Sequence, residues 1–162
     1  NSKMGSDLWN TIWEAGIEFN ISPGCPNLIE RIEGGLLSYG NEFTRENNPL
    51  EIGLGKFCSL DGSVDYLGRA ALEKIASKGA TKEIRGVIFG DDKCPTCSLP
   101  WPVTVENKKI GQITSAIWSP RLKKNVGLSL IDQKYCSARE PVEVHSQDNK
   151  IRSGEISYLP FN

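Results

Sequence analysis

Histidine is almost missing from this 162-residue chain: His145 is the only one. A metal centre held by two or three imidazoles is therefore excluded within it. Thiolate ligands are also short. Cys94-Pro-Thr-Cys97 has the spacing of a zinc knuckle or a dithiol redox pair, but no second CxxC exists, and a structural zinc needs four ligands. Prolines at 95, 100 and 102 also deny the pair the βαβ setting of a redox motif. We read it as a plain loop and expect no bound metal. The cysteines, at 25, 58, 94, 97 and 136, are odd in number, and no secretory leader is expected ahead of them, so reduced thiols and a cytoplasmic setting are expected. No apolar run reaches 18 residues, so no membrane-spanning helix is expected. Charge of one sign is lacking too. The net charge is −1, which gives no electrostatic reason to expect nucleic acid or an anionic membrane as partner.

What is present fits a soluble globular protein: 38% hydrophobic and 24% charged residues. The length suits one ordinary domain or two small ones, with roughly two-thirds of the unfolded surface buried on folding. The chain opens on Asn1 and not on methionine, so a processed or partial polypeptide is expected.

Helical patterning dominates the first half. Residues 6–16 carry Leu8, Trp9, Ile12 and Trp13 on one face, with Ser6 as candidate N-cap and Gly16 as candidate C-terminal glycine. The two tryptophans are read as core anchors or, alternatively, as ligand platforms. Residues 26–37 form a second expected helix, with Pro26 in its first turn and Leu28, Ile29, Ile32 and Leu36 as its stripe. Gly34-Gly35 marks its end or a close backbone approach. Ile52, Leu54, Phe57 and Leu60 suggest a strand bent at Gly53 and Gly55. Residues 66–77 make the third expected helix, with Leu67, Ala71, Leu72 and Ile75 inward and Gly79 beyond its end.

Near residues 79–83 the period changes from helix to strand. Residues 84–90, 102–106, 110–118, 126–131, 141–146 and 150–159 alternate, separated by turns, and read as a small antiparallel barrel or sandwich. In the central hairpin, Ile110, Gln112, Thr114 and Ala116 are expected on one face and Gly111, Ile113, Ser115 and Ile117 on the other. Ser119-Pro120 breaks the ladder, and Val126, Leu128 and Leu130 resume it. Trp118, Arg121, Lys123 and Lys124 cluster at this tip, which is either solvated or aimed at an anionic ligand.

Five stretches carry a family resemblance. Arg31-Ile-Glu-Gly-Gly-Leu-Leu-Ser-Tyr-Gly40 resembles the Arg-Leu-Glu-Ala-Gly…Leu-Tyr-Gly signature of the glycine-cleavage T-protein (aminomethyltransferase) superfamily. Asn48-Pro-Leu-Glu-Ile-Gly-Leu-Gly55, Asp65-Tyr-Leu-Gly-Arg-Ala-Ala-Leu72, Ile110-Gly-Gln-Ile-Thr-Ser-Ala-Ile-Trp-Ser-Pro-Arg-Leu122 and the closing Leu159-Pro-Phe161 match further segments of it in order. T-proteins commonly carry Ala-Arg-Asp where this chain has Pro26-Asn27-Leu28. The runs 26–42 and 94–102 are instead similar to the dimethylsulfoniopropionate demethylase branch of the superfamily.

The resemblance implies an α+β fold: the C-terminal part of a folate-binding domain at 1–80, then a small antiparallel β-barrel at 81–162. It implies tetrahydrofolate as cofactor, a small-molecule methyl donor as second ligand, and the N-terminal remainder of the same protein as partner. Arg31, Tyr39, Trp118 and Arg121 are the expected cofactor-binding residues. Arg31 would pair with a folate carboxylate or else with Glu30 or Glu33. Tyr39 would line the pocket or pack at the helix end. Trp118 and Arg121 would close over the ligand or serve structure alone. No catalytic residue is assigned, because methyl transfer from a sulfonium to folate needs mainly alignment of the two reactants. With much of the folate pocket outside this chain, the chain alone is expected to be inactive and prone to self-association. A barrel that serves only as an interaction module is the alternative from another functional class.

Overall fold

A computed structural model describes residues 2–24 and 27–161. Cys25 and Pro26, the latter expected in the first turn of the second helix, lie outside the described residues.

Among the described residues six strands form the larger part: β1 Lys82–Phe89, β2 Trp101–Val105, β3 Lys108–Ser119, β4 Lys124–Asp132, β5 Pro141–His145 and β6 Ile151–Ser157. They close into a barrel in the order β1-β4-β3-β2-β5-β6, with β6 returning to β1 and every pairing antiparallel. Closure removes the exposed sheet edges that a six-stranded open sheet would carry. Val87, Phe89, Trp101, Val103, Ile110, Ile113, Ile131, Val144 and Ile156 fill the interior. Phe89 and Trp101 meet edge to face, with ring centroids 6.2 Å apart.

The alternation expected along β3 is broken. The β3–β4 register runs Ile113 to Ser129 and then Ser115 to Leu128, which leaves Thr114 as an extra, unpaired residue. Such a bulge reverses which face the following side chains occupy. A second shift, in the β2–β3 register, pairs Val103 with Gly111 and Thr104 with Lys109 and leaves Ile110 as an extra residue. With both bulges, Ile110, Ile113 and Ala116 all join the interior cluster, while Ile117 packs in the cluster outside the barrel wall. Val126 and Leu128 of β4 alternate as expected but also face outward, against a helix.

That helix is α2, Leu28–Glu33. The Asn27 side chain caps it by accepting the Glu30 N–H at 2.9 Å. It stops sooner than the expected residue 37 because Gly34 and Gly35 follow, the latter at φ +68. Ile32 is fully buried against Val126, Leu128 and Phe161. The C-terminal segment is strapped to the same place: the Phe161 N–H donates to the Glu33 carbonyl at 3.0 Å.

Helix α1 spans Gly5–Gly16, close to expectation, but Met4 and not Ser6 occupies its cap position, without a side-chain bond. Gly16 lies inside the helix, where a Cβ would sit 2.2 Å from Ile21 Cδ1; the left-handed stop falls later, at Asn20. Trp9 and Trp13 are not core anchors. They stack on each other at 6.3 Å and are 56% and 37% exposed. Helix α3, Arg69–Lys78, is likewise short of burial: none of its residues is buried, and neither Leu67 nor Ala71 points inward. The strand expected over 52–60 does not form. Asn48 Oδ1 accepts the N–H groups of Leu50 and Glu51, Gly53 sits at φ +74, and Gly55–Phe57 makes one 3-10 turn. These local bonds favour turns over an extended ladder. Among the described residues no helix is long and apolar enough to cross a membrane.

Candidate functional site

A buried carboxylate ties the helical segment to the barrel. Glu42 lies in the turn after α2, and its side chain has no solvent exposure. Burying an unpaired carboxylate is prohibitive, so its partners matter. Oε2 accepts the Ser38 N–H at 2.6 Å and Arg31 Nη1 at 3.0 Å. Oε1 accepts the hydroxyl of Ser115, and that of Thr114 at 3.4 Å. Arg31 also donates from Nη1 to the Leu36 carbonyl at 2.9 Å and from Nη2 to Ser115 Oγ at 2.7 Å. The hydroxyls come from the bulged part of β3, and the bulge is what turns Ser115 outward to meet α2.

Beside this network lies a cleft of about 290 Å³. Its walls come from Leu28 and Arg31 of α2, from Gly40 and Asn41, from the loop Thr96–Pro100, and from Thr114, Ser115 and Ala116. The loop is staked at both ends. Asn125, wholly buried, accepts the Cys94 N–H at 2.8 Å and donates to the carbonyls of Phe89 and Asp92. Gln147 Oε1 accepts from the Ser98 N–H and hydroxyl and from Trp101 Nε1. Arg152, also buried, donates to Asp92 and Asp148 on either side and holds both carboxyls well below the usual range. Rigid support of this kind fixes a loop's geometry before a ligand arrives. Burial pushes the Cys97 thiol up to about 11 and the Cys94 thiol upward as well, so neither is a thiolate at neutral pH. Among the described residues no cluster of His, Cys, Asp and Glu is arranged to hold a metal ion.

The four residues singled out from the sequence do not converge. Arg31 lines the cleft, and its carboxylate partner is Glu42, not Glu30 or Glu33. Tyr39 is 62% exposed and packs edge-on against Phe43 at 5.6 Å, next to the cleft-lining Gly40. Trp118, half-buried near the end of β3, and Arg121 stand outside the cleft lining. Arg121 serves a second clasp: Nε donates to Glu33 Oε2 at 3.0 Å and Nη2 to the Phe161 carbonyl at 2.8 Å. Ser119 Oγ donates to Glu33 Oε1 at 2.6 Å, and this hydroxyl is the main reason the Glu33 carboxyl is held below its ordinary pKa. Sequence reasoning missed Glu42 and Ser115. Both lie inside motifs already recognised, but nothing local showed that the acid is buried.

Residues 1–62 match the family described as the GCVT N-terminal domain, and residues 82–161 match the glycine cleavage T-protein C-terminal barrel domain. The chain belongs to the glycine-cleavage T-protein family. Among its relatives is a dimethylsulfoniopropionate demethylase of Ruegeria pomeroyi, 43% identical over 147 residues, covering 91% of this chain and 40% of that protein. An aminomethyltransferase of Thermoanaerobacter pseudethanolicus is 35% identical over 159 residues, covering 96% and 42%. The chain thus spans about two-fifths of the length of these curated relatives. Among solved structures, aminomethyltransferase T of the glycine cleavage system from Bartonella henselae superposes with a TM-score of 0.70 at 18% identity, over 82% of this chain and 37% of that one, which supports the fold.

Proposed function

We propose that this chain is the C-terminal part of a tetrahydrofolate-dependent methyltransferase, and that the whole protein moves a methyl group from the sulfonium of dimethylsulfoniopropionate to tetrahydrofolate. The observation that carries the reading is the cleft. Apart from 114–116 of β3, its walls are drawn from 28–41 and 96–100, within the two runs that resemble the demethylase branch. The 43% identity to a demethylase supports the same choice. The reading divides the chain into 1–80, part of the folate-binding domain, and 81–162, the barrel. It places the protein in the cytoplasm, where reduced thiols are expected.

The chemistry asks little of acid or base. Tetrahydrofolate, when bound, would supply the nucleophile, its N5, for the sulfonium methyl; the sulfur would leave as a neutral thioether and the N5 proton would pass to solvent. The protein's task is alignment, which contributes several kcal/mol (about 7 or more in well-oriented systems). In this reading Arg31 holds a folate carboxylate. Three of its donations go to protein, to Leu36, Glu42 and Ser115, while Nε–H and one Nη2–H have no partner among the described residues. Tyr39 borders the folate site from the adjoining turn, and Trp118 and Arg121 approach from the barrel once the rest of the protein is in place. The aminomethyltransferase reading rests on the 35% relatives. Product analysis separates the two. The full-length protein, given dimethylsulfoniopropionate and tetrahydrofolate, is expected to yield 5-methyltetrahydrofolate. Methylenetetrahydrofolate and ammonia from an aminomethyl donor, with no demethylation, would overturn the assignment.

A further inference from the structure

We infer that Glu42 and Ser115 are positioning residues that set Arg31 as the anchor of a carboxylate-binding subsite in the cleft, an inference that rests on the folate-methyltransferase reading. A side-chain carboxylate with no solvent exposure is costly unless several donors converge on it, and here four do, from Ser38, Arg31, Thr114 and Ser115. Ser115 closes a ring. It donates to Glu42 Oε1 and accepts from Arg31 Nη2, while Arg31 Nη1 donates to Glu42 Oε2. The guanidinium therefore cannot swing without breaking bonds to a buried charge.

Arg31 itself is not buried. Its side chain keeps 19% exposure at the cleft, with Nε–H and one Nη2–H unpartnered among the described residues. A guanidinium with three donations committed to protein and two left over at a cleft suits the two oxygens of one carboxylate. The bulge at Thr114 belongs to the same device, because in a regular ladder Ser115 would face the barrel interior instead of Glu42. Both substrates of the proposed reaction carry a carboxylate, so the shared chemistry is what the subsite recognises.

A double-mutant cycle on the full-length protein tests this, with dissociation constants measured separately for tetrahydrofolate and dimethylsulfoniopropionate. Arg31→Ala and Ser115→Ala are each expected to weaken one of these ligands by about tenfold, and the double variant to be no weaker than Arg31→Ala alone. A response by tetrahydrofolate is expected and matches the folate contact; a response by dimethylsulfoniopropionate alone would keep the subsite and overturn the folate contact. Ser115→Thr, which restores the hydroxyl, is expected to recover affinity. If Ser115→Ala melts as a poorly folded protein, Glu42→Gln takes its place in the cycle. Additive losses, or a Ser115→Ala or Glu42→Gln variant that binds both ligands normally, would overturn the positioning role and leave the methyltransferase reading standing. An Arg31→Ala variant that binds both ligands normally would overturn the role and the folate contact together.

Discussion

Truncating Ile32 to alanine tests whether α2 is truly part of the barrel's packing. Ile32 is fully buried and is the only buried residue of α2, where it meets Val126, Leu128 and Phe161. Isoleucine-to-alanine changes at such sites cost about 2–5 kcal/mol, through lost transfer energy and the cavity left behind. This cluster is small and partly ringed by half-buried side chains, which allows some collapse, so about 3 kcal/mol is the expected loss. For a chain of this size that corresponds to a fall in Tm of roughly 6–12 °C. The assay is thermal unfolding of the 162-residue chain by circular dichroism, with Leu8→Ala as control. Leu8 is 61% exposed, so its truncation should change stability by no more than about 0.5 kcal/mol. A fall of less than about 3 °C for Ile32→Ala, with an unchanged spectrum, would mean that α2 does not rest on β4. Arg31, one residue earlier, would then lose its fixed relation to Ser115.

Further outcomes follow from local geometry and charge. A Cβ at Gly86 would lie 2.5 Å from Phe161 Cε1, so Gly86→Val should dislodge the C-terminal strap and cost about 1–3 kcal/mol, whereas Gly5→Ala, with open space around it, should be neutral or slightly stabilising; urea midpoints separate the two, and an undisturbed Gly86→Val would contradict the strap. The Ser119 hydroxyl, with Arg121 adding to it and burial opposing, lowers the Glu33 pKa from its ordinary 4.5, so ionised Glu33 stabilises the fold above that pH and the contribution fades as pH falls through the lower folded value. Ser119→Ala should therefore lose stability at pH 6 and lie closer to the parent at pH 3; an equal loss at both would refute the link. With its thiol pushed to about 11 by burial, Cys97 should alkylate with iodoacetamide at pH 8 roughly tenfold or more slowly than glutathione, and equal rates would show that it is not shielded.

The strands were legible in the sequence because their signals are local: most alternate, most of their turns carry Gly, Asn, Asp or Pro, and hairpin neighbours pair in order, with residues 141–157 as the plainest case. Alternation alone left a barrel or a sandwich, since closure rests on the distant pairings β1–β4, β1–β6 and β2–β5, and the barrel was expected from the family resemblance. The bulge at Thr114 was not legible, since Ile-Thr-Ser-Ala fits a regular strand as well as an interrupted one. Only the partner register decides it. The segment 48–60 has strand composition but turn chemistry, and Asn48's side-chain bonds prevailed over the apolar spacing. For α1 and α3 periodicity does not say that something covers an apolar face: Trp9 stands in solvent, and so does Leu67, which precedes α3 because that helix begins at Arg69 and not at the expected 66. At the site, Arg31 was found through its motif. Glu42 was not, because an acid in a turn-rich stretch reads as surface until Ser115, 73 residues later in the chain, is seen to reach it.

In the proposed function this chain supplies one wall of a folate site, and the rest of the protein supplies the other. The most direct measurement compares 5-methyltetrahydrofolate formation from dimethylsulfoniopropionate and tetrahydrofolate by the full-length protein and by the 162-residue chain at equal concentration. Catalysis by alignment requires both walls to hold the reactants within a fraction of an ångström. The predicted result is turnover by the full-length protein and none by the chain alone. A rate from the chain within tenfold of the full-length protein would contradict the claim, because the residues described here would then suffice.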